Sequence, residues 1–369
     1  MIGIDAHMIG DKSGGNETYC QNIINNFNTE QSKNIILFVN NDADLSKISF
    51  SGQIVKYKSH NAFIRNFVEI PFMMKKYKLE LMQTQYFIPF MRFCPVVTII
   101  HDISFEHFKD IFTKKVYMMQ KALIPYAAKK SNRILTCSNY SKDDIADKYN
   151  INSNKIVLTY CAVSDEFKRL NLSENEILDI REKFKLPDKF ILSVGNLQPR
   201  KNIKRLLEAF VKLKKEKDFD LKLVIVGKRA WMYDDIFSIL KDNHLESEVI
   251  LTDYVTNEEL VKLYNLSQIF VYPSFFEGFG LPVLEAMSCG TPVATSNVSS
   301  LPEVVGDAGV MFDPFNVEEI AEAIWKLCSS LELRNKCISL GLKQCDKFSW
   351  KESSDIIYNT YMDVIKENK

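Results

Sequence analysis

The sequence predicts an α/β fold built from two doubly wound, parallel-sheet domains in series. Three observations carry this. Short apolar, β-rich runs alternate with helical patterns from end to end, which is the signature of βαβ units and buried parallel sheets. The length, 369 residues, is about twice that of an average domain. The alternation also pauses once, over Ser164–Lys189, where Glu166, Lys168, Arg169, Asn171, Ser173, Glu174 and Asn175 crowd together. The junction is placed there, giving a first domain over residues 1–168 and a second over 169–349.

In chain order, the first half offers strands at Ile2–Ile4, Ile35–Asn40, Ile54–Tyr57, Leu79–Thr84, Val97–Asp102 and Arg133–Ser138. Helical patterns over Glu17–Phe27, Arg65–Lys76 and Lys114–Lys130 lie between them. The second half offers strands at Phe190–Gly195, Leu221–Gly227, Val249–Leu251, Gln268–Ser274 and Thr291–Ser296. After the first of these, Ile203, Leu206, Leu207, Phe210 and Leu213 recur at the spacing of one helical face, with Asn202 where an N-cap belongs. A last helical pattern, over residues 350–369, follows a second domain that should already be complete. Its apolar face (Ile356, Ile357, Tyr361, Ile365) therefore needs a partner. Two doubly wound domains are expected to face each other across a cleft lined by the carboxyl ends of both sheets.

Composition narrows the function. Hydrophobic residues make up 46% and charged ones 25%, as in ordinary globular proteins. Lys+Arg and Asp+Glu each count 47, so the basic excess of a nucleic-acid binder is missing. Met1-Ile2-Gly3-Ile4-Asp5 starts a strand at once, without the basic and long apolar stretches of a secretory leader. No apolar run approaches the ~20 residues that span a bilayer. The eight cysteines are scattered without a Cys-x-x-Cys pair, which favours buried thiols over zinc or a disulfide framework. The expected location is the cytoplasm. The stretch Phe63–Phe93 mixes phenylalanines with Arg65, Lys75, Lys76 and Lys78. It reads either as a face for peripheral contact with the inner side of a membrane or as an amphipathic helix followed by a buried strand.

Four segments carry chemistry. In Val271–Gly290 a buried strand ends at Pro273, a loop with Gly278 and Gly280 follows, and Pro282 opens a helix that Gly290 closes. Such a loop presents N–H groups at a positive helix end, which suits a phosphate. Glu285 falls early in that helix, where a carboxylate can accept from ribose hydroxyls; Glu277 sits in the loop. In Val194–Asn202 a strand again runs into a glycine loop, with Arg200 and Lys201 beside a helix N-terminus. Cations are ill-placed there unless an anion joins them. Ser13-Gly14-Gly15 lets backbone come close to a ligand at the first helix. His101 and Asp102 end an apolar strand where α/β sites form and are expected to look into the cleft; His7 is a lesser candidate.

Together these segments resemble the retaining glycosyltransferases of family 4, with the GT-B fold. Glu277 and Glu285 match that family's Glu-x7-Glu signature. Pro199-Arg200-Lys201-Asn202, His101-Asp102 and Gly14-Gly15 are similar too. Smaller matches are Ser138-Asn139-Tyr140-Ser141-Lys142, Asn297–Val304 and Phe348-Ser349-Trp350. The resemblance covers essentially the whole chain. It implies a nucleotide-sugar donor on the second domain, an acceptor on the first, and a last helix that crosses back to complete the first. It further implies that Arg200 and Lys201 hold the diphosphate and Glu285 the ribose. Glu277 and the N–H groups of Gly278, Phe279, Gly280 and Leu281 would hold sugar hydroxyls and phosphate, with His101 beside the transferred sugar and Gly15 near the diphosphate. Many members carry Gly-Ile-Gly-Arg-Tyr where this chain has Gly15-Asn16-Glu17-Thr18-Tyr19, so acceptor identity does not transfer.

The implied activity is metal-independent transfer of a hexose from an NDP-sugar to a hydroxyl of a glycan or polyprenyl-linked saccharide, with retention, in cell-surface polysaccharide synthesis. Mannose is the first expectation, from its frequency in the family. The nucleotide sugar is a co-substrate and no cofactor or metal is expected. The alternative on the same architecture is a sugar-nucleotide epimerase or hydrolase. A two-domain solute-binding protein is a further reading, which the leaderless start disfavours.

Overall fold

A computed structural model describes residues 1–11, 14–228 and 234–369. Ser13, the first residue of the glycine-loop motif, lies outside the described residues. Among them, thirteen strands form two sheets, parallel throughout. The strands are β1 (Ile2–Asp5), β2 (Ile35–Val39), β3 (Gln53–Lys56), β4 (Leu81–Gln85), β5 (Val96–Ile99), β6 (Arg133–Thr136), β7 (Ile156–Leu158), β8 (Phe190–Val194), β9 (Lys222–Val226), β10 (Val249–Leu251), β11 (Ile269–Tyr272), β12 (Val293–Ser296) and β13 (Gly309–Phe312). The first sheet is ordered β3-β2-β1-β4-β5-β6-β7 and the second β10-β9-β8-β11-β12-β13. Both grow outward from their first strand and then reverse, the order of doubly wound nucleotide-binding folds. β1, β2, β4 and β5 are buried along their whole length; β2 accordingly reads as a continuous apolar run, whereas β4 buries Gln83, Thr84 and Gln85.

The chain separates into two compact units, Met1–Cys161 with Ser349–Lys369, and Ala162–Phe348. The first unit ends ahead of residue 168 because the second unit holds the residues that follow. Ser288 Oγ donates to the Phe167 carbonyl at 2.6 Å, and the Asn265 amide bonds Lys168 O and Leu170 N at 3.0 and 2.8 Å.

In the first unit, helix α1 (Gly15–Asn25) follows β1. The predicted helix over Arg65–Lys76 is interrupted: a π turn spans Arg65–Glu69 before an α segment Ile70–Lys76. Pro71 explains the slip. It has no N–H to give to residue 67, and the Ile70 N–H bonds Arg65 O instead, one residue wider than in an α-helix. In the second unit, helix α2 (Ile203–Glu216) buries Ile203, Leu206, Leu207, Phe210 and Leu213, the face its spacing predicts. It packs on the sheet through Ile191, Leu223, Ile225 and Ile269. Helix α3 (Leu281–Ser288) follows β11.

Helix α4 (Trp350–Glu367) belongs to the first unit. It buries Ile357, Tyr361, Val364 and Ile365. Ser354 Oγ donates to Ile23 O at 2.9 Å, Ser353 Oγ to Tyr160 O at 2.7 Å, and the Tyr361 hydroxyl to Gln83 on β4. The tail's apolar face thus has its partner.

Candidate active site

In the second sheet the order reverses between β8 and β11. Ligands of doubly wound sheets bind at the carboxyl ends of strands at such a point. The loops after β8 and β11 both begin there. The first loop leaves β8 at Gly195, whose N–H bonds Val226 O at 2.8 Å. Its backbone touches that of Gly227 so closely that a Cβ on Gly227 would lie 2.1 Å from Gly195 O. Arg200 and Lys201 occupy a one-turn 3-10 helix, Pro199–Lys201.

Asn202, expected to cap α2 with its side chain, instead adopts a left-handed conformation with φ 56°. An N-cap side chain needs an extended backbone. The Asn202 amide turns inward and donates to Pro273 O at 3.0 Å and Pro314 O at 2.8 Å. Together with the Phe275 N–H on Arg200 O at 2.9 Å, this ties the two loops together.

Glu277 is the centre of the arrangement, 7% exposed. Its Oε2 accepts from Arg200 Nη1 at 2.7 Å. Its Oε1 accepts from Lys201 Nζ at 2.7 Å, Tyr272 OH at 3.0 Å and Ser274 Oγ at 2.5 Å. Burial alone would raise the carboxyl pKa, but the charges of Arg200 and Lys201, with the Lys201 and Ser274 hydrogen bonds, hold it down to about 2. The two cations therefore do not wait for a ligand to balance them, as the sequence suggested; Glu277 is a built-in counter-ion. Two cationic side chains thus share one carboxylate.

The Glu277 N–H donates to Ser299 Oγ at 3.0 Å, and Ser300 Oγ bridges the carbonyls of Glu277 and Phe279 at 2.9 and 2.7 Å. These contacts give the Asn297–Val304 segment its role in holding the loop. Gly280, φ 113°, starts α3, and a Cβ there would strike Leu301 at 2.7 Å. No side chain caps α3, Pro282 lies in its first turn and Gly290 follows its end at φ 77°. Half-buried Glu285 points from α3 toward Tyr264, whose hydroxyl donates to Oε2 at 3.1 Å. Burial, against that hydrogen bond and with Glu166 adding repulsion, lifts its pKa to about 7. Tyr272 sits between the two acidic groups: its hydroxyl pKa is pushed well up by burial first, then chiefly by Glu277 and, more weakly, Glu285. Tyr264 and Tyr272 were not legible as site features because they pass for core, and Ser299 and Ser300 because their partners in the loop lie 21–23 residues away; Ser274, three residues from Glu277, was passed over.

The first unit holds the other candidates. His101 follows β5, is 6% exposed and has its ring edge-on to Tyr19 at 4.7 Å and Tyr86 at 5.9 Å. Asp102 has a local task instead: its Oδ1 accepts from Ser104 N at 2.9 Å and starts the turn Ser104–Glu106. His7 is engaged by fully buried Asp5, with Nδ1 3.0 Å from both carboxylate oxygens. Gly14, φ 76°, precedes α1, and a Cβ at Gly14 or Gly15 would meet nothing within 4 Å. The structure thus gathers Arg200, Lys201, Glu277, Gly278–Leu281 and Glu285 in the second unit, and places His101 and Gly15 in the first. A cavity of about 580 Å³ lined by Lys189, Leu221 and Gln268 lies at the amino ends of β8, β9 and β11, the wrong end of the sheet for this chemistry.

Two doubly wound units in series are the architecture of the GT-B fold. Sucrose-phosphate synthase from Thermosynechococcus elongatus superposes with TM-score 0.76 at 17% identity, covering 99% of each chain, which shows the fold. The chain belongs to glycosyltransferase family 4: residues 13–167 match the family model "Glycosyltransferase Family 4" and residues 175–344 match "Glycosyl transferases group 1". It is 38% identical over 267 residues to O-antigen chain mannosyltransferase B of Escherichia coli, covering 72% of this chain and 69% of that protein. It is 31% identical over 265 residues to the serotype-specific mannosyltransferase WbdA of Escherichia coli, 71% of this chain but 31% of that longer protein. These relatives are transferases, and the epimerase or hydrolase reading is not favoured.

Proposed function

We propose that the protein transfers mannose from an NDP-sugar to a hydroxyl of a glycan or lipid-linked acceptor, with retention, in the assembly of a cell-surface polysaccharide. The observation that carries the site assignment is the Arg200–Lys201–Glu277 cluster at the switch point of the second sheet. Its two cationic side chains and the start of α3, which no side chain caps, offer a diphosphate two kinds of donor. As the glycosidic bond to the diphosphate breaks, negative charge grows on the leaving group, and fixed cations stabilise it without reorganising. Glu285 accepts from the ribose hydroxyls. Glu277 steadies the cations before the donor arrives and receives hydroxyls of the sugar. His101 meets the transferred sugar, and Gly15 leaves room for the diphosphate. The nucleotide sugar is a co-substrate, and the scheme uses neither a cofactor nor a metal ion.

The acceptor side carries a second element of the proposal, peripheral contact with an anionic membrane. Phe63, Phe72, Phe90 and Met91 are 65%, 60%, 56% and 62% exposed. Phe67 stacks on Phe90 at 4.7 Å and Lys75 lies 4.1 Å above the Phe93 ring. Met73 and Met74 of the same stretch are core. An apolar face with basic neighbours fits lipid carrying a polyprenyl acceptor. Among the described residues no helix is long and apolar enough to cross a membrane. Sedimentation with phosphatidylglycerol vesicles, lost in Phe63→Ser/Phe72→Ser, tests this element; protein left in the supernatant removes it.

The catalytic reading is tested by turnover of GDP-mannose, and of UDP-, ADP- and dTDP-sugars, with a mannose-terminated acceptor. Arg200→Ala and Lys201→Ala are each expected to lower turnover by roughly 100-fold or more. Unchanged turnover in both sinks the diphosphate assignment.

A further inference from the structure

β4 ends in Gln85, 2% exposed, and neither its Oε1 nor its Nε2 has a hydrogen-bond partner. His101 is equally enclosed, and its Nε2 also lacks a partner. Buried polar atoms are normally satisfied, and leaving them unmade is costly. The three atoms belong to residues at the ends of neighbouring strands. Gln85 pairs in register with Ile99 on β5, and the ladder runs on through Tyr86 N–Ile99 O at 2.8 Å and Ile100 N–Leu135 O at 2.9 Å. Alternation then puts the side chains of residues 85, 99 and 101 on one face of the sheet. Contacts on that face agree: Gln83, two residues before Gln85, bonds Tyr361 of α4, and His101 meets Tyr19 of α1. A strand spacing of ~4.8 Å and a two-residue rise of ~6.6 Å put the two Cα atoms about 8 Å apart. That span lets an amide and an imidazole reach adjacent groups of one small ligand.

The backbone after Gln85 is constrained as well. Tyr86 has φ 58°, rare for an aromatic residue, and the Phe87 N–H closes a tight turn on Gln85 O at 2.6 Å. Strain of this kind persists where the surroundings enforce it, often at ligand sites. We propose that Gln85 and His101 form one subsite for two neighbouring hydroxyls of a neutral sugar ring, with Gln85 a specificity-determining residue. An amide both donates and accepts, and imidazole does one or the other through Nε2. Neither brings a fixed charge, so the pair suits hydroxyls better than a carboxylate or phosphate. The inference rests on the transferase reading above. The hydroxyls belong either to the transferred sugar or to the terminal sugar of the acceptor.

The experiment is steady-state kinetics of the full chain with Gln85→Leu and the near-isosteric Gln85→Met, varying donor and acceptor separately. Thermal unfolding is read alongside with nucleoside diphosphate alone. Both variants are expected to fold, to keep the thermal shift given by nucleoside diphosphate, and to lose about tenfold or more in kcat/KM. A KM rise confined to the donor identifies the transferred sugar; one confined to the acceptor identifies the acceptor. A deoxy analogue lacking the matching hydroxyl should be turned over equally by wild type and Gln85→Met, an equality that a purely structural glutamine does not produce. Wild-type kinetics in both variants, as expected if Gln85 only holds an internal water, overturns the subsite. Because Arg200→Ala tests the donor site, a silent Gln85→Met beside a dead Arg200→Ala refutes this inference and leaves the transferase reading standing.

Discussion

Lys201 and Glu277 lie 76 residues apart in sequence, yet their side chains meet at 2.7 Å on the carboxylate oxygen that Tyr272 and Ser274 also contact. The contact makes the glutamate part of the electrostatics of the proposed donor site before any phosphate is present. A donor that enters meets cations already fixed in place, and preorganised charge acts without a reorganisation cost at the moment of reaction.

Its acid dependence follows. A carboxyl held down to about 2 from a usual value near 4.5 contributes about 3 kcal/mol of stability. The contribution is present above pH 4.5 and is lost as pH falls through 2. Glu277→Gln should therefore be less stable than wild type by about that amount at pH 7, with the gap closing below pH 4. Urea unfolding of both proteins across that range is the measurement, and a pH-independent gap contradicts the ion-pair account.

Glu285 behaves in the opposite sense. Its pKa near 7 means that its stability contribution is present below about 4.5 and is lost as pH rises through 7. Hydroxyl donors favour the ionised form, so donor binding should release a proton near pH 6.5 and tighten as pH rises to 8. Calorimetry in two buffers of different ionisation enthalpy reads the proton directly. A nucleotide sugar is the right ligand, since its diphosphate has no secondary ionisation. Glu285→Gln should bind more weakly, release no proton and be more stable at pH 8 by about 2–3 kcal/mol. A wild type with no proton release argues against Glu285 as the ribose acceptor.

Two glycines separate folding from binding. Gly227→Ala must displace the Gly195 carbonyl that a Cβ would approach to 2.1 Å, at a cost of about 3 kcal/mol or more. Gly15→Ala meets nothing within 4 Å and should unfold within about 0.5 kcal/mol of wild type. If Gly15 leaves room for the diphosphate, its alanine variant should still raise donor KM severalfold. An unchanged KM returns Gly15 to a plain turn.

Tyr361→Phe removes the hydroxyl that meets Gln83 and should cost about 1–3 kcal/mol, because the glutamine oxygen stays buried. The loss should appear as faster amide exchange in β1, β4 and β6 and leave β8–β13 unaffected. Uniform loss across both sheets contradicts the assignment of α4 to the first unit.

Legibility followed the range of the forces. Both sheets announced themselves because most of their buried parallel strands are predominantly apolar, whereas β7 and β13 were passed over. β7 is a three-residue edge strand, and β13 begins with a glycine and is exposed at Met311. The π turn was hidden because its cause, Pro71, is also an ordinary first-turn residue. Arg200, Lys201, Glu277 and Glu285 were conspicuous as residue types in loops of known geometry. Their pairing was not, since nothing local to Arg200 points to a carboxylate beyond three intervening strands. Asn202 shows the converse: its position suggested a cap, and the tertiary demand to tie Pro273 and Pro314 prevailed over the local one.

The first unit is made from the stretches of chain on either side of the second. A ribosome making this chain therefore completes the second unit's sheet while the first still lacks α4. Tyr361, Val364 and Ile365 emerge after every strand among the described residues, and until they do, β4 and β6 lack the helix that covers them. The first unit to be translated is the last to close, and in that interval it is the half of the nascent protein that chaperones have reason to hold.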